Sequence, residues 1–111
     1  MKTAIIGSRN LTVENLEDFI PEGTTEIVSG GAKGIDTCAA YFANRKGIPL
    51  IVFLPDYSRY KGGATFHRNE KIVKYADIVI AFWDGKSKGT EHVIRLCEKF
   101  NKKIRVVLLK N

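Results

Sequence analysis

The chain has 111 residues, of which 44% are hydrophobic and 27% are charged. These values are ordinary for a soluble globular protein, and the length is close to that of a typical domain. No apolar run approaches the ~20 residues that a membrane-spanning helix needs. Residues 1–7 are too short and too soon broken by glycine to be a signal peptide. We therefore expect one domain over residues 1–111, in the cytoplasm, with no membrane partner.

The charged residues and the cysteines indicate more about partners than about chemistry. There are 18 basic and 12 acidic residues, and the net charge of +6 fits either a phosphate-bearing partner or an evenly solvated surface. Cys38 and Cys97 fall on the apolar sides of predicted helices without metal-ligand spacing, so we expect buried, inert thiols. His67 and His92 also lack a second ligand at metal spacing. We expect both histidines at the surface and no metal site.

Strands and helices alternate along the chain. The predicted strands cover residues 3–7, 26–29, 49–54, 77–82 and 103–109. Helices are predicted from a cap at Thr12 to Pro21, over residues 34–46, over residues 64–75, and after a cap at Thr90. This alternation predicts an α/β fold, a doubly wound Rossmann-like sheet of about five parallel strands with helices on both faces.

Three local patterns add detail to this predicted fold. Leu11 and Leu16 have the spacing of a hydrophobic staple around Thr12. The continuous apolar run over residues 49–54 is typical of a strand that is covered on both faces. Residues 55–63 lack periodicity, and a loop of this length is often functional or mobile.

A glycine-rich loop over residues 29–36 is the strongest functional signal. It reads Ser-Gly-Gly-Ala-Lys-Gly-Ile-Asp and joins a predicted strand directly to a helix. Glycine lets the backbone turn sharply and approach a ligand closely, and the helix start offers free N–H groups and a positive dipole end. This combination predicts an anion site, most often for a phosphate. Similar loops at residues 7–10 and 83–90 follow other strands, and all three should converge at one edge of the sheet.

Two familiar nucleotide motifs are absent, and several residues keep more than one role. The chain has no G-x-x-x-x-G-K-[ST], which excludes a P-loop ATPase, and no G-x-G-x-x-G after the first strand, so standard NAD or FAD binding is unsupported. Asp36 could complement the helix dipole, hold the loop or bind a ribose hydroxyl. Asn69 could be a surface-edge amide or reach a ligand. Trp83 could stack on a base or pack at the edge of the core.

At these residues the chain resembles the SLOG superfamily, named for the Smf/DprA and LONELY GUY (LOG) proteins. Residues 29–36 look like the S-G-x-A-x-G-I-D loop of DprA, the DNA-processing protein, and Arg68-Asn69 with Ile72 looks like its R-N-x-x-I segment. Residues 83–90 are similar to the P-G-G-x-G-T loop of LOG-type phosphoribohydrolases. Residues 7–9, Gly-Ser-Arg, fit the opening of small proteins in the YspA/YpsA-related branch, which the chain resembles most.

The resemblance implies a Rossmann-like domain that binds a nucleotide or a nucleotide-derived ligand as a sensor, carrier or processing domain. LOG enzymes cleave the N-glycosidic bond of nucleoside monophosphates with an Arg and the Glu of G-T-x-x-E. Arg68 could match that Arg, but Val93 holds the expected Glu position. Glu91 could substitute for it or merely stabilise a helix start.

The resemblance implies other partners as well. DprA-type proteins bind single-stranded DNA and a recombinase, and Tyr57, Arg59, Tyr60 and Lys61 could supply stacking and phosphate contacts, or form a lid or plain surface. Relatives often dimerise, which makes a homodimer possible. No cofactor is expected beyond the nucleotide ligand. The candidate catalytic residues are Arg68 and Glu91, and the candidate ligand-binding residues are Gly7, Ser8, Arg9, Ser29, Gly30, Gly31, Ala32, Lys33, Gly34, Asp36, Asn69, Trp83, Asp84, Gly85, Ser87, Lys88, Gly89 and Thr90.

Overall fold

The structure, a computed structural model, describes residues 1–110 and contains one five-stranded sheet. Its strands are β1 (Lys2–Gly7), β2 (Glu26–Ser29), β3 (Leu50–Val52), β4 (Ile78–Trp83) and β5 (Lys103–Leu108). The strand order is β3-β2-β1-β4-β5, and every neighbouring pair is parallel. The predicted Rossmann-like α/β fold is therefore confirmed.

The connections between strands are mostly helical. They contain α1 (Ile35–Lys46), α2 (Tyr57–Tyr60), α3 (Ala64–Tyr75) and α4 (Lys88–Lys99), with 3-10 turns at Leu16–Asp18 and Lys61–Gly63. The helix α1 ends at Gly47, which adopts the left-handed conformation with φ of 69°, as expected for a glycine that follows a helix. None of the helices in the described part of the chain is long and apolar enough to cross a membrane.

Two apolar cores lie on the two faces of the sheet. Because alternate strand residues point to opposite faces, Ile5 and Phe82 pack with α1 and the 11–20 segment, whereas Ile6 and Ala81 pack with α3 and α4. The central strands β1 and β4 are buried along almost their whole length. This covered centre fixes the strand ends from which the glycine-containing loops start.

The first predicted helix, over residues 12–20, is wrong. The segment forms only the 3-10 turn at Leu16–Asp18, although Leu11 and Leu16 are both buried as expected. It contains β-branched residues and Asn15, whose side chain donates a hydrogen bond to the Asp18 carboxylate at 3.0 Å. Such local bonding competes with helix formation, and fewer than ten residues before Pro21 are too few to offset helix nucleation.

Several smaller expectations also need correction. The strand β3 has three residues at the edge of the sheet, and Val52 is 40% exposed, so it is not covered on both faces. Residues 57–63 are helical turns rather than an irregular loop. The cap of α4 is Ser87, and Thr90 lies buried in the first turn. Cys97 is buried, but Cys38 is only partly so.

The strand order places the topological switch point between β1 and β4. The chain leaves β1 toward β2 and β3 on one side and then crosses back to β4 on the other side. The loops that follow β1 and β4 therefore diverge and leave a crevice at the carboxyl ends of the strands. Ligands of open α/β sheets bind in such crevices.

Candidate functional site

A cavity of about 450 Å³ opens at this crevice. Its volume falls within the range of about 300–1,000 Å³ that is usual for small-molecule sites. The walls come from the loops after β1, β2 and β4 and from the first half of α3. The lining residues are Ile6, Gly7, Arg9, Asn10, Gly30, Ala32, Asp36, Thr65, Arg68, Asn69, Ile72, Ser87, Gly89, Thr90 and Val93.

The structure brings residues of all three glycine-containing loops into this one cavity. Both arginines, both helix starts and the Asp36 carboxylate lie together there. The residues proposed from the sequence that line it are Gly7, Arg9, Gly30, Ala32, Asp36, Arg68, Asn69, Ser87, Gly89 and Thr90.

The remaining candidates from the loops do not line the cavity. They are Ser8, Ser29, Gly31, Lys33, Gly34, Trp83, Asp84, Gly85 and Lys88. Several of them shape the loops instead. Ser8 Oγ accepts a hydrogen bond from the Asp84 N–H at 3.3 Å, and the Trp83 indole N–H donates to the Ser87 carbonyl at 3.0 Å. Asp84 Oδ1 accepts the N–H groups of Lys86 and Ser87, both at 2.8 Å.

Gly34 joins the loops after β1 and β2. Its φ of 71° lies in the left-handed region, and a Cβ at this position would collide with the carbonyl oxygen of Arg9. A residue with a side chain would therefore suffer both backbone strain and a clash with backbone. Glycine at this position allows the two loops to touch.

The starts of α1 and α4 both border the cavity, but they differ in the charge that lines it. Ser87 caps α4 with a neutral hydroxyl, whose Oγ accepts the Thr90 N–H at 3.4 Å. The start of α1 carries Asp36, whose Oδ2 accepts the Ala32 N–H at 2.9 Å. Each helix has one carboxylate in its first turn, but Asp36 lines the cavity whereas Glu91 forms an ion pair outside it. The start of α4 is therefore the stronger site for an anion.

The Asp36 side chain is buried and incompletely bonded. It is 7% exposed, and no group in residues 1–110 donates a hydrogen bond to its Oδ1. Burial raises the pKa of Asp36, and this effect outweighs the opposing effects of the Ala32 N–H, of Arg68 and of Arg9. Such a carboxyl group at a cavity is a feature of functional sites.

Arg68 crosses from α3 to the loop after β2. Its Nη1 donates to the Gly30 carbonyl at 2.7 Å, and its Nε donates to Asn69 Oδ1 at 2.9 Å. Gly30 permits this approach, because a Cβ there would lie 2.7 Å from Nη1. Burial lowers the pKa of Arg68, but a guanidinium keeps its proton in a protein. Arg68 therefore holds a permanent positive charge at the wall of the cavity.

Asn69 has a partner that the sequence did not reveal. The side chain is 6% exposed, and its Nδ2 lies 3.3 Å from Nδ1 of His92 on α4. His92 is partly buried, which lowers its pKa against the opposing charge of Glu70. The expected surface position of this histidine is therefore only half right, since its inner nitrogen contacts a residue of the cavity wall.

The Glu91 side chain does not point into the cavity, where a catalytic role would require it. Its carboxylate pairs with Arg95 at 3.1 Å, one turn further along α4, and it does not line the cavity. Val93, at the position where LOG-type proteins were expected to carry Glu, does line it. Of the two residues proposed for catalysis, only Arg68 reaches the cavity.

Five lining residues were not predicted, namely Ile6, Asn10, Thr65, Ile72 and Val93. Those on α3 had a readable signal, because Thr65, Arg68 and Ile72 share one face at helical spacing with Asn69. No residue of the aromatic segment over residues 57–61 lines the cavity. Tyr57 is 59% exposed, and the Tyr60 ring stacks on the His67 ring with centroids 3.7 Å apart. No group of three potential metal ligands occurs within residues 1–110.

The fold and the cavity together define a Rossmann-like α/β protein with a cavity at its topological switch point. Residues 7–60 match the model of a protein family described as YAcAr, the YspA, cpYpsA-related SLOG family. This match confirms the resemblance noted in the sequence to the YspA-like branch of the SLOG superfamily. That resemblance indicates a nucleotide-related function. No match was found among curated proteins or among solved structures.

Proposed function

We propose that the chain binds a nucleotide or a nucleotide-derived phosphate ligand in the cavity, as a sensor, carrier or processing domain. One observation carries this proposal. Arg9, Arg68 and the start of α4 border a single cavity of about 450 Å³. Two guanidinium groups and a helix start are the groups that proteins most often use to hold a phosphate.

The cavity lining contains groups that suit both parts of such a ligand. Ser87, Gly89 and Thr90 at the start of α4 suit the phosphate, because this helix start carries no carboxylate that faces the cavity. The apolar side chains of Ile6 and Val93 suit a sugar or base. This combination of cationic and apolar groups in one lining supports a nucleotide over a simple inorganic anion.

Binding without cleavage is the better-supported reading. Hydrolysis of an N-glycosidic bond needs a carboxylate near the reacting carbon. The proposed Glu91 pairs with Arg95 outside the cavity. Asp36, the one carboxylate within residues 1–110 that lines the cavity, accepts the Ala32 N–H and so holds the loop after β2. A concave cavity also suits one nucleotide better than a strand, which is usually bound along an open groove. We therefore place binding of a mononucleotide-sized ligand ahead of hydrolysis and of single-strand binding.

Thermal unfolding with a ligand panel tests the proposal. Nucleoside monophosphates, NAD and ADP-ribose at millimolar concentration should raise the melting temperature, since a ligand that binds only the folded state stabilises it. The Arg68→Ala variant should lose the shift. Arg45→Ala is the matched control, because Arg45 lies on α1 and pairs with Glu17 away from the cavity.

The alternative outcomes are distinct. If no ligand of the panel raises the melting temperature of the unaltered protein, the proposal is wrong. Release of ribose 5-phosphate from a monophosphate that does bind would make the chain a hydrolase. Tight, salt-dependent binding of single strands with no mononucleotide shift would favour the nucleic-acid reading.

A further inference from the structure

A continuous line of hydrogen bonds crosses the wall of the cavity. It runs from the Gly30 carbonyl to Arg68 Nη1 at 2.7 Å, from Arg68 Nε to Asn69 Oδ1 at 2.9 Å, and from Asn69 Nδ2 to His92 Nδ1 at 3.3 Å. The line connects the loop after β2 with α3 and α4. A change at His92 therefore reaches Arg68 through one intervening side chain.

The direction of each hydrogen bond is fixed by chemistry. A guanidinium has only donors, so the atom of Asn69 that faces Arg68 Nε must be the amide oxygen. The amide nitrogen then faces His92 and can only donate. His92 Nδ1 must accept, which requires a neutral imidazole with its proton on Nε2. A protonated His92 would oppose two donors and break the line.

The surroundings of His92 strengthen the dependence of these hydrogen bonds on its protonation state. Asn69 is 6% exposed, so water is poorly placed to replace a lost partner. The His92 ring packs on Phe66 with centroids 4.4 Å apart. From α3, the charge of Glu70 favours protonation, whereas burial opposes it more strongly.

The other charged residues within one turn of His92 on α4 are Lys88, Glu91 and Arg95. On α4 itself, Glu91 and Arg95 pair with each other. The strands β1, β4 and β5 contribute apolar side chains, among them Ile6, Ala81 and Ile104, to the core beneath α3 and α4. His92 is thus the group of this line that gains a charge in acid, and burial lowers its pKa below the ordinary value of 6.5.

We propose that neutral His92 is a positioning residue that holds Arg68 in place for an anionic ligand, acting through Asn69. The inference rests on the proposed nucleotide binding and adds a pH dependence to it. With Nε and Nη1 held by Asn69 and by Gly30, the other N–H groups of Arg68 keep one orientation at the cavity wall. Protonation of His92 frees the Asn69 amide and loosens that orientation, so affinity falls in acid.

The test compares affinities for adenosine 5′-monophosphate between about pH 8 and about pH 5. The lower limit lies well below the ordinary histidine pKa of 6.5 because burial lowers the pKa of His92. His92→Gln keeps an uncharged acceptor beside Asn69 and cannot be protonated. It should match the unaltered protein at the higher pH and bind about fivefold more tightly than it at the lower pH, as expected for one hydrogen bond. Because the phosphate itself titrates near pH 6, the ratio between the two proteins is the quantity to report.

Two further variants complete the design. His92→Leu, which has no acceptor, should bind more weakly than the unaltered protein at about pH 8, with folding checked by circular dichroism. His67→Gln is the matched control, because His67 stacks on Tyr60 and takes no part in the line. Its pH profile should follow that of the unaltered protein.

A spectroscopic readout needs no ligand. Nitrogen NMR of His92 at about pH 8 should show that Nε2 carries the proton and that Nδ1 is unprotonated. A proton on Nδ1, or parallel pH profiles for the unaltered protein and His92→Gln, would overturn the positioning role and leave nucleotide binding intact. Failure of the unaltered protein to bind at about pH 8 would instead overturn both proposals.

Discussion

Asp36 stabilises the loop after β2 through a hydrogen bond but lowers the stability of the fold through its buried second oxygen. One carboxylate oxygen holds the Ala32 N–H, while the other is buried without a hydrogen-bond donor among residues 1–110. A buried acceptor left without a partner costs about 1–3 kcal/mol. A chain selected for stability alone would avoid this arrangement, so its presence at the cavity is consistent with a functional requirement.

The burial of the Asp36 carboxyl group predicts how the stability of the protein changes with pH. Because burial raises the pKa of Asp36 above its ordinary value of 3.8, the folded protein binds more protons at this site than the unfolded chain. The stability that Asp36 contributes is present below pH 3.8 and is lost as pH rises through the higher folded pKa. Asp36→Asn should remove this loss and keep an acceptor for Ala32.

Urea unfolding midpoints of Asp36→Asn and the unaltered protein should therefore separate between about pH 4 and about pH 7, in favour of the variant. Asp56→Asn is the control with the opposite sign. Asp56 is exposed, and hydrogen bonds from the Ser58 side chain and from the Arg59 N–H lower its pKa. A gap between Asp36→Asn and the unaltered protein that stays constant with pH would contradict the assignment.

The side chains of the site differ in how readable they were from the sequence. Arg68 and Asn69 were found because they form part of a recognisable short segment. The contact between Asn69 and His92 was not, because these residues are 23 positions apart and meet only when α3 packs on α4. Glu91 was proposed from its neighbourhood in sequence, but its side chain points toward Arg95.

At the scale of elements, the helices that formed as predicted are those that have an apolar face and a clear end. α1 has Gly47 as its stop, and α3 follows the predicted bounds of residues 64–75. The 12–20 segment has apolar residues at helical spacing too, but a single 3-10 turn is enough to bring these side chains into the core. Phe19 packs edge-on against Phe82 with centroids 5.2 Å apart, so the segment covers the sheet without becoming a helix.

The start of α4 illustrates a choice that sequence alone does not make. Ser87 and Thr90 both carry hydroxyl groups, and either could cap a helix. The structure uses Ser87 because Asp84 folds the preceding turn and accepts the Ser87 N–H at 2.8 Å. This turn moves the helix start three residues earlier and leaves Thr90 in the wall of the cavity.

Substitutions of Ser87 should separate helix stability from anion binding. Ser87→Ala removes the cap and should cost about 1 kcal/mol of unfolding free energy. Ser87→Asp keeps a capping oxygen, so stability should change little, but its charge at the start of α4 should abolish the thermal shift with monophosphates. Both effects can be read from melting curves with and without ligand.

Thr12→Asp is the matched control for charge, because Thr12 is exposed and lies outside the cavity lining. It should retain the ligand-induced shift. An unchanged ligand shift in Ser87→Asp would mean that the phosphate does not sit at the start of α4.

For the molecule as a whole, the alternation of strands and helices was enough to predict the class of fold, whereas the strand order was not readable. The apolar runs of β3 and β5 look like those of β1 and β4, yet they lie at the edges of the sheet. Leu108 on β5 is 62% exposed, while Phe82 on β4 is fully buried. A local run of side chains carries no signal for which neighbour a strand will have.

The two cysteines should report on the stability of the whole molecule. Burial raises the pKa of Cys97 to about 11, so its thiol is neutral and shielded in the folded state. Cys38 is only partly buried and should react with a maleimide in the native protein. Labelling at about pH 8 should therefore show one fast thiol and a second that reacts only as the protein opens.

The Cys38→Ser variant should lack the fast phase and keep the slow one. Added urea should accelerate the slow phase toward the rate of global unfolding. Two fast thiols in the native protein would show that α4 opens more readily than its packing against the sheet indicates.

The apolar part of the cavity lining also belongs to one of the two cores. Ile6, Ile72 and Val93 line the cavity and belong to the apolar cluster beneath α3 and α4. Under the proposed function, a lineage that changes these three side chains to accept a different base also changes its folding free energy in the same step. Exchanges of Arg9 and Asn10, which line the same cavity but are exposed, would carry a smaller cost in stability.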